Sequence, residues 1–471
     1  MSTFGGLNIA YTGLSAARAA LEVTGQNVAN ANTPGYTRQR VDQTALAQSS
    51  IATHALQSTY GDGVDVTGVS RLNDAVVDAR VRSTVSAGAY WATTATALGS
   101  VETSLNEPSK NGLSGVLNTF WSTWQAMATN AGSAGQANTL IAQGKLVAST
   151  LANGYSAAKD AWSDAQRAAA STVGSINATA ANIAGLNDSI RAVKAAGGSV
   201  NSLLDQRDAA VTELAQLTGA TTRGNADGTI DVIVGGNALV SGPTSRSVEL
   251  GGAGDFSDAA AGTGVSLVWS DAPTSKVSLD GGEMAGRIAS LQPAATGGTG
   301  GVFAEAAQAY NAIAKSVADA VNAIHSAGAN AAGATGLKFF TYTSDATAAS
   351  TLTVVPATIA DIATAAPLKG AHDATTADAI AQLGSSSTSP NLTWNAYVAR
   401  IGSQSATAAA RSTTAGTAAT AATTAQTSVS GVDLDEETSN LVIYQHAYQA
   451  SARVISTINE VLDTLINMGA R

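Results

Sequence analysis

The chain has 471 residues, enough for several domains, with only 5% aromatic residues, 12% charged residues and a formal net charge of −10. The acidic balance argues against nucleic acid or an anionic membrane as the main partner, because both require clustered Lys and Arg. With no cysteine in the chain, structural disulfides, thiolate nucleophiles and thiolate metal sites are excluded.

The first stretch, MSTFGGLNIAYTGLSAARAALEV, has no basic leader and no continuous apolar core, so it does not read as a cleaved signal peptide. No stretch reaches transmembrane length. Residues 4–31 predict a helix in which Leu7, Leu14, Leu21 and Val28 recur every seven residues. Ala10, Ala17, Thr24 and Ala31 lie between them, and a row of small residues beside a row of large ones suits close approach of a second helix. The helix is expected to stop at Asn30-Ala31-Asn32-Thr33-Pro34-Gly35-Tyr36. Pro34 forces Thr33 into extended geometry and Gly35 permits positive φ. Arg38, Arg40 and Val41 begin an extended segment, and Gly61, Gly63, Val64, Val66 and Val69 suggest a strand or hairpin.

Asp74 opens a long helix whose apolar positions keep three-four spacing to Pro108. A second helix is expected through Leu113, Leu117, Phe120, Trp124 and Met127, a third from about Ala137 to Ala195, and a fourth from Leu203 to Leu217 after Gly197-Gly198. An antiparallel helical rod fits this pattern better than a globule. From Gly219 the texture changes. Asp227-Gly228 reads as a turn, Ile230, Val232 and Val234 alternate, and the β-rich reading extends over roughly 221–295, including KVSLDGGEMAGRIASL (276–291). Phe303 to Ile324 predicts an amphipathic helix, 336–390 short strands and loops, and Trp394 to Ile401 a helix again. The Ala/Thr run 404–427 is open between linker and helix on composition, since Thr is a poor helix former.

The last stretch is the most regular. Leu441, Tyr444, Tyr448, Ser451, Ile455, Ile458, Leu462 and Leu465 alternate by three and four, forming one helical seam, and Val454, Val461 and Met468 form a second row beside it. The two termini are therefore expected to pair. Two rows exceed what one partner helix covers, which leaves part of the seam for another subunit. Such termini are expected to be poorly ordered in the free monomer and to fold on assembly.

Little in the chain points to catalysis or metal binding. His54, His325, His372 and His446 are scattered with no metal-ligand spacing, and no phosphate loop or nucleophile elbow occurs. The glycine cluster 297–301 reads as a hinge. Asp433, Asp435, Glu436 and Glu437 read as a helix N-terminus, with Asp433 or Asp435 as cap, and Asp205-Gln206-Arg207-Asp208 as a helix-surface ion-pair group.

ANANTPGYTRQR (29–40) resembles the N-terminal signature of the bacterial flagellar axial proteins, which comprise rod, hook and hook-associated proteins. SGVDLDEETSNLVIYQHAYQASARVISTINEVLDTLINM (430–468) resembles the C-terminus of the hook-associated protein 1 branch, as do segments 60–77, 101–121 and 203–220 elsewhere. Hook and distal-rod proteins typically carry a Gln-Arg-Gly-Phe-like run where this chain has Gln445-His446-Ala447-Tyr448. The resemblance covers most of 1–225 and 430–471 and is weak in the centre.

It implies a mainly α fold with an inserted β-rich region: paired terminal helices as a coiled coil, a long antiparallel helical rod and an outer β domain. The expected division is 1–45 plus 430–471 for the inner helices, 46–220 plus 302–330 and 392–429 for the rod, and 221–301 plus 331–391 for the outer region. For 404–427 it implies a long helix packed on the rod. It further implies a non-enzymatic structural protein without cofactor or metal, at the extracellular hook–filament junction, exported by the type III route without a cleaved signal. Implied partners are like subunits in a ring, the hook protein, hook-associated protein 3 and an export chaperone on the C-terminal helix, with no nucleic acid or membrane. The expected assembly interface is Leu7, Leu14, Leu21, Val28, Leu441, Tyr444, Tyr448, Val454, Ile455, Ile458, Val461, Leu462, Leu465 and Met468. Asn30, Asn32, Thr33, Pro34, Gly35 and Tyr36 form the signature turn that sets the exit angle. The alternatives are a hook or distal-rod protein, or a secreted protein whose central region binds a ligand or catalyses a reaction.

Overall fold

A computed structural model describes residues 3–46 and 61–469. Helix α1 (Thr3–Ala29) leads through the signature turn into β1 (Gln39–Ala45), which pairs antiparallel with β2 (Val64–Arg71). Four helices follow: α2 (Ala75–Leu105), α3 (Leu113–Thr129), α4 (Ala134–Ala195) and α5 (Asn201–Thr218). Their ends follow from local chemistry. Asp74 accepts hydrogen bonds from the Val76 and Val77 amides to cap α2, Ser133 caps α4, and Gly219, at φ +76°, ends α5.

A small β region comes next. β3 (Thr221–Gly224), β4 (Ile230–Val234), β5 (Asn237–Ser241) and β6 (Thr244–Ser245) form one antiparallel sheet in sequence order. A second sheet joins β7 (Val248–Gly252), β8 (Val265–Trp269) and β9 (Ala272–Lys276), with the short α6 (Phe256–Ala260) between its first two strands. The β-rich expectation fails at 282–290, where α7 (Gly282–Ser290) is helical. Met284, buried, and Ile288, packed at the edge of the core, are four apart on one helical face, and that spacing prevailed over the glycines around them. After α8 (Val302–Ala327), segment 331–391 holds only two two-residue strands, β10 (Phe340–Thr341) and β11 (Thr353–Val354), with short helices α9 (Ala348–Thr351) and α10 (Thr375–Ala381).

The Ala/Thr run is helix throughout: α11 spans Pro390–Ser430, capped by Ser389, and packs along α2. Its threonines turn their hydroxyls onto their own helix. Thr413, Thr414, Thr417, Thr420, Thr423, Thr424 and Thr427 each donate to the carbonyl four residues back. Helix α12 (Leu434–Gly469) closes the chain, with Asp433 Oδ1 accepting from the Asp435 and Glu436 amides as its cap.

One apolar cluster runs from Val101 and Leu117 through Leu140, Leu151, Trp162, Ile176 and Leu214 to Val232, Trp269, Val317 and Trp394. The rod helices and the β region thus share a core, with α4 as its spine. Asn177 and Asn187 of α4 bind the backbone of the sheets: Asn177 pairs with both the amide and the carbonyl of Val248, and Asn187 with Ile230 and Gly242. The few aromatic residues are concentrated, with Phe120, Trp124, Phe339 and Phe340 in mutual contact beside His325.

The glycine cluster is no hinge. Buried Glu305 accepts hydrogen bonds from the Ala295 and Gly300 amides (2.9 and 3.1 Å), and Arg400 donates to the Gly298 carbonyl (2.9 Å). Arg400 also approaches Glu305 at 3.4 Å, so the loop is clamped from two sides.

Candidate assembly site

Helices α1 and α12 pack antiparallel. Asn27 bonds Glu437, Gly13 lies against Ser451 and Gly6 against Ile458, so one helix descends as the other ascends by equal steps. The seven-residue interval between the last two pairs is the heptad seen in the sequence. The contact row of α1, however, is its small one. Ala10, Ala16, Ala17, Ala20 and Thr24 are buried, whereas Leu7, Leu14 and Leu21 are half-buried and Val28 faces outward. Small residues let the backbones approach, and the leucines flank the contact instead of filling it.

On α12, Leu441, Tyr444, Ser451, Ile455, Ile458 and Leu462 face α1 and are half-buried, while Tyr448 lies at the margin, 39% exposed. The second row is uncovered: Val454, Val461 and Met468 are 48%, 45% and 70% exposed. Val442, Ile443, Leu465 and Ile466 are exposed as well, and of these only Leu465 belonged to the expected interface. By the offset of the pair Thr3 stands opposite Val461, so beyond Val461 α12 has no described α1 residue opposite it. The structure thus brings the seam to α1 and leaves a long apolar flank open.

The signature turn has two parts. Tyr36 N donates to Thr33 O across Pro34-Gly35, with Gly35 at φ +79°, which is the type II arrangement. Thr33 also bonds Asn30 through both backbone and side chain. Asn32, Thr33 and Pro34 are exposed and line a cleft of about 810 Å³ between the terminal pair, α2, α5 and the end of α11. The residues that follow point inward. The Tyr36 hydroxyl donates to Asn27 Oδ1 (2.9 Å), and burial, with the charges of Asp205 and Glu437, pushes its pKa up to about 12. Asn27 also accepts from Gln39 N and donates to Gln39 O and Glu437, using its full hydrogen-bonding capacity.

Arg38 reaches Glu437 at 2.7 Å and Glu436 at 2.6 Å. Burial works against its charge, but the hydrogen bond to Glu436 and the charge of Glu437 outweigh it and raise its pKa. Glu437, read from sequence as part of a helix N-terminus, is buried, its side chain 3% exposed. A signal was present: one further step of four back from Leu441 along the seam lands on Glu437.

Segment 205–208 also departs from the surface reading. Asp205 and Arg207 are buried. Arg71 Nε and Asp205 Oδ1 form a 2.8 Å ion pair, off the angle of a hydrogen bond, while Arg71 Nη2 donates to Asp208 at 2.6 Å. Arg207 donates to Asn187 and the Gly228 carbonyl, and burial lowers its pKa.

Among the described residues no group of three or more His, Asp or Glu is placed to hold a metal ion, and no helix is long and apolar enough to cross a membrane. His325 is buried: its Nε2 accepts from Ala363 N, which leaves Nδ1 as donor to Leu337 O. His54 lies outside the described residues.

Comparison with known proteins places this architecture. The family model for the flagellar hook-associated protein FlgK helical domain matches residues 98–340. Models described as flagella basal body rod protein and flagellar basal body rod FlgEFG protein C-terminal match 7–37 and 426–468. Flagellar hook-associated protein 1 of Bacillus subtilis is 30% identical, with 99% of this chain and 98% of the relative aligned. The protein of that name from Salmonella typhimurium is 33% identical over 51% of this chain and 43% of its own length. The solved structure of the flagellar hook junction protein FlgK from Burkholderia pseudomallei superposes with a TM-score of 0.63 at 17% identity, covering 75% of this chain and all of the other, and so shares its fold. These relatives are structural proteins of the flagellum, not enzymes, and the chain belongs to the flagellar hook-associated protein 1 family.

Proposed function

We propose that this chain is a structural subunit of the hook–filament junction, assembled through its terminal helices. The observation that carries the reading is the apolar flank of α12 that α1 leaves uncovered, Val454, Val461, Leu465 and Met468. Its chemistry suits a second helix of the same kind, so a ring of like subunits with the terminal helices wound as an inner coiled-coil layer accounts for it. The Burkholderia relative's designation as a hook junction protein supports the location. In this reading the hook protein and hook-associated protein 3 are the neighbours along the axis, an export chaperone covers α12 before assembly, and the chain works outside the cell. The rod with its β region, 61–429, forms the outer layers, and the signature turn joins them to the inner one. Cells lacking the chain should carry hooks without filaments and shed filament subunits into the medium. Filaments on the hooks of such cells refute the reading.

A further inference from the structure

Residues 36–39, which lead into β1, serve two sides. Tyr36 and Arg38 reach the terminal pair through Asn27, Glu436 and Glu437, and Gln39 meets Asn27 through its backbone. The alternate side chains face α5: Arg71 donates to Thr37 Oγ1 and holds Asp205 and Asp208, while Asn201 Nδ2 donates to Gln39 Oε1. Arg38 N also donates to the Ser430 carbonyl at the end of α11, just before Gly431 and Val432 join α11 to α12. An open cleft of about 810 Å³ lies on one side of this elbow, so packing does not fix the angle there, while α1 rests on the β1–β2 hairpin on another. The exposed turn Asn32–Gly35 lies beside α5, with Gly35 next to Ala209, but makes no side-chain hydrogen bond across the elbow.

We propose that Glu437, Asn27 and Arg38 are the positioning residues of this elbow: their buried ion pair and hydrogen bonds set the angle at which the terminal pair leaves the rod. The proposal rests on the junction reading for its purpose, since subunits in one ring must present their terminal helices at one angle. The pair suits the task, because removing Arg38 leaves the buried Glu437 without a counter-charge, and neutralising Glu437 leaves Arg38 with only the exposed Glu436.

The chain offers clean probes. It has no cysteine, and its six tryptophans, Trp91, Trp121, Trp124, Trp162, Trp269 and Trp394, all lie outside the terminal pair. Spin labels on Thr417→Cys in α11 and Thr457→Cys in α12, both exposed positions, report the elbow in the full chain. The parent should give one narrow distance. Arg38→Gln and Glu437→Gln should each lose it, while Arg40→Gln, an exposed neighbour whose closest carboxylate is Asp42 at 3.9 Å, should keep it. Tryptophan-reported melting of the rod should be unchanged in all three. A narrow distance retained in Arg38→Gln and Glu437→Gln overturns the proposal. So does a broad one in the parent or in Arg40→Gln, or loss of the rod's melting transition. Hook and filament attachment is scored separately: filaments on cells lacking the chain would end the junction reading and leave the distance result standing.

Discussion

Ile458→Asp puts a charge into the seam where α12 meets Gly6, the residue whose added Cβ would lie 3.3 Å from Ile458 Cδ1. In the single chain Ile458 is half-buried, so losing its side chain costs about 1 kcal/mol of helix pairing, roughly half the value for full burial. If other subunits cover the seam, the new carboxylate must be neutralised or desolvated. Holding an acid of pKa about 3.9 neutral at pH 7 costs about 4 kcal/mol, which bounds the assembly penalty. That corresponds to about 10³-fold weaker assembly per subunit against a modest effect on the free chain. The assay separates the two. Tryptophan emission follows rod melting in the purified variant, immunoblots of the medium follow its export, and electron microscopy counts hooks with filaments. The expected result is an exported chain with normal rod melting, hooks without filaments, and filament subunits in the medium. Ser456→Asp, at an exposed position of the same helix, should leave filaments in place. Normal filaments in Ile458→Asp would refute the assembly role given to the seam.

Glu305→Ala should destabilise the rod by about 3 kcal/mol, because it orphans two backbone amides that bond a charged acceptor; urea unfolding followed by tryptophan emission measures it. A loss below about 1 kcal/mol would mean that the 297–301 loop is not clamped as described. His325 predicts a pH response. Burial holds its pKa below the ordinary histidine value, the hydrogen bond to Leu337 opposing only in part, so the unfolded chain binds the proton first as pH falls. The stability this neutral histidine contributes is complete above about pH 6.5 and is lost, at up to about 1.4 kcal/mol per pH unit, as pH drops from there towards the folded pKa. Urea midpoints at neutral and mildly acidic pH should show this slope in the parent and a flatter one in His325→Gln. Equal slopes would remove His325 as its source.

The long helices were legible because their periodicity runs over many turns and their ends carry strong chemistry: Asp74, Gly197-Gly198, Gly219 and Asp433 all mark boundaries. Short or glycine-flanked segments were not. In α7 the helix has nine residues and begins at Gly282, so its apolar spacing had too few repeats to stand out beside neighbouring strands. The terminal seam was readable on α12, where large residues choose a face, but not on α1, where periodicity alone does not decide whether the leucines or the alanines meet the partner. Charged residues misled most. Glu437, Asp205 and Arg207 look like solvated helix residues in a linear reading, and only the fold brings Arg38, Arg71 and Asn187 to them. The glycines at 297–301 suggested freedom for the same reason, since their restraint comes from Glu305 on the following helix and Arg400 far along the chain.

Helix α4 runs unbroken for 62 residues, about 93 Å, and serves as a ruler. Its first half carries Leu140, Val147 and Leu151 among α3 and α8, and its second half carries Ile176, Ile183 and Asn187 beneath α5 and the sheets. One residue inserted between the halves would turn everything on one side by about 100° and shift it about 1.5 Å, misaligning two sets of partners at once. The spacing between the aromatic end of the rod and its elbow end is therefore quantised by the helix. Changes of length are tolerated only where a connection can absorb them without rotating a face, and the long dimension of the subunit is set by counting residues along a single segment.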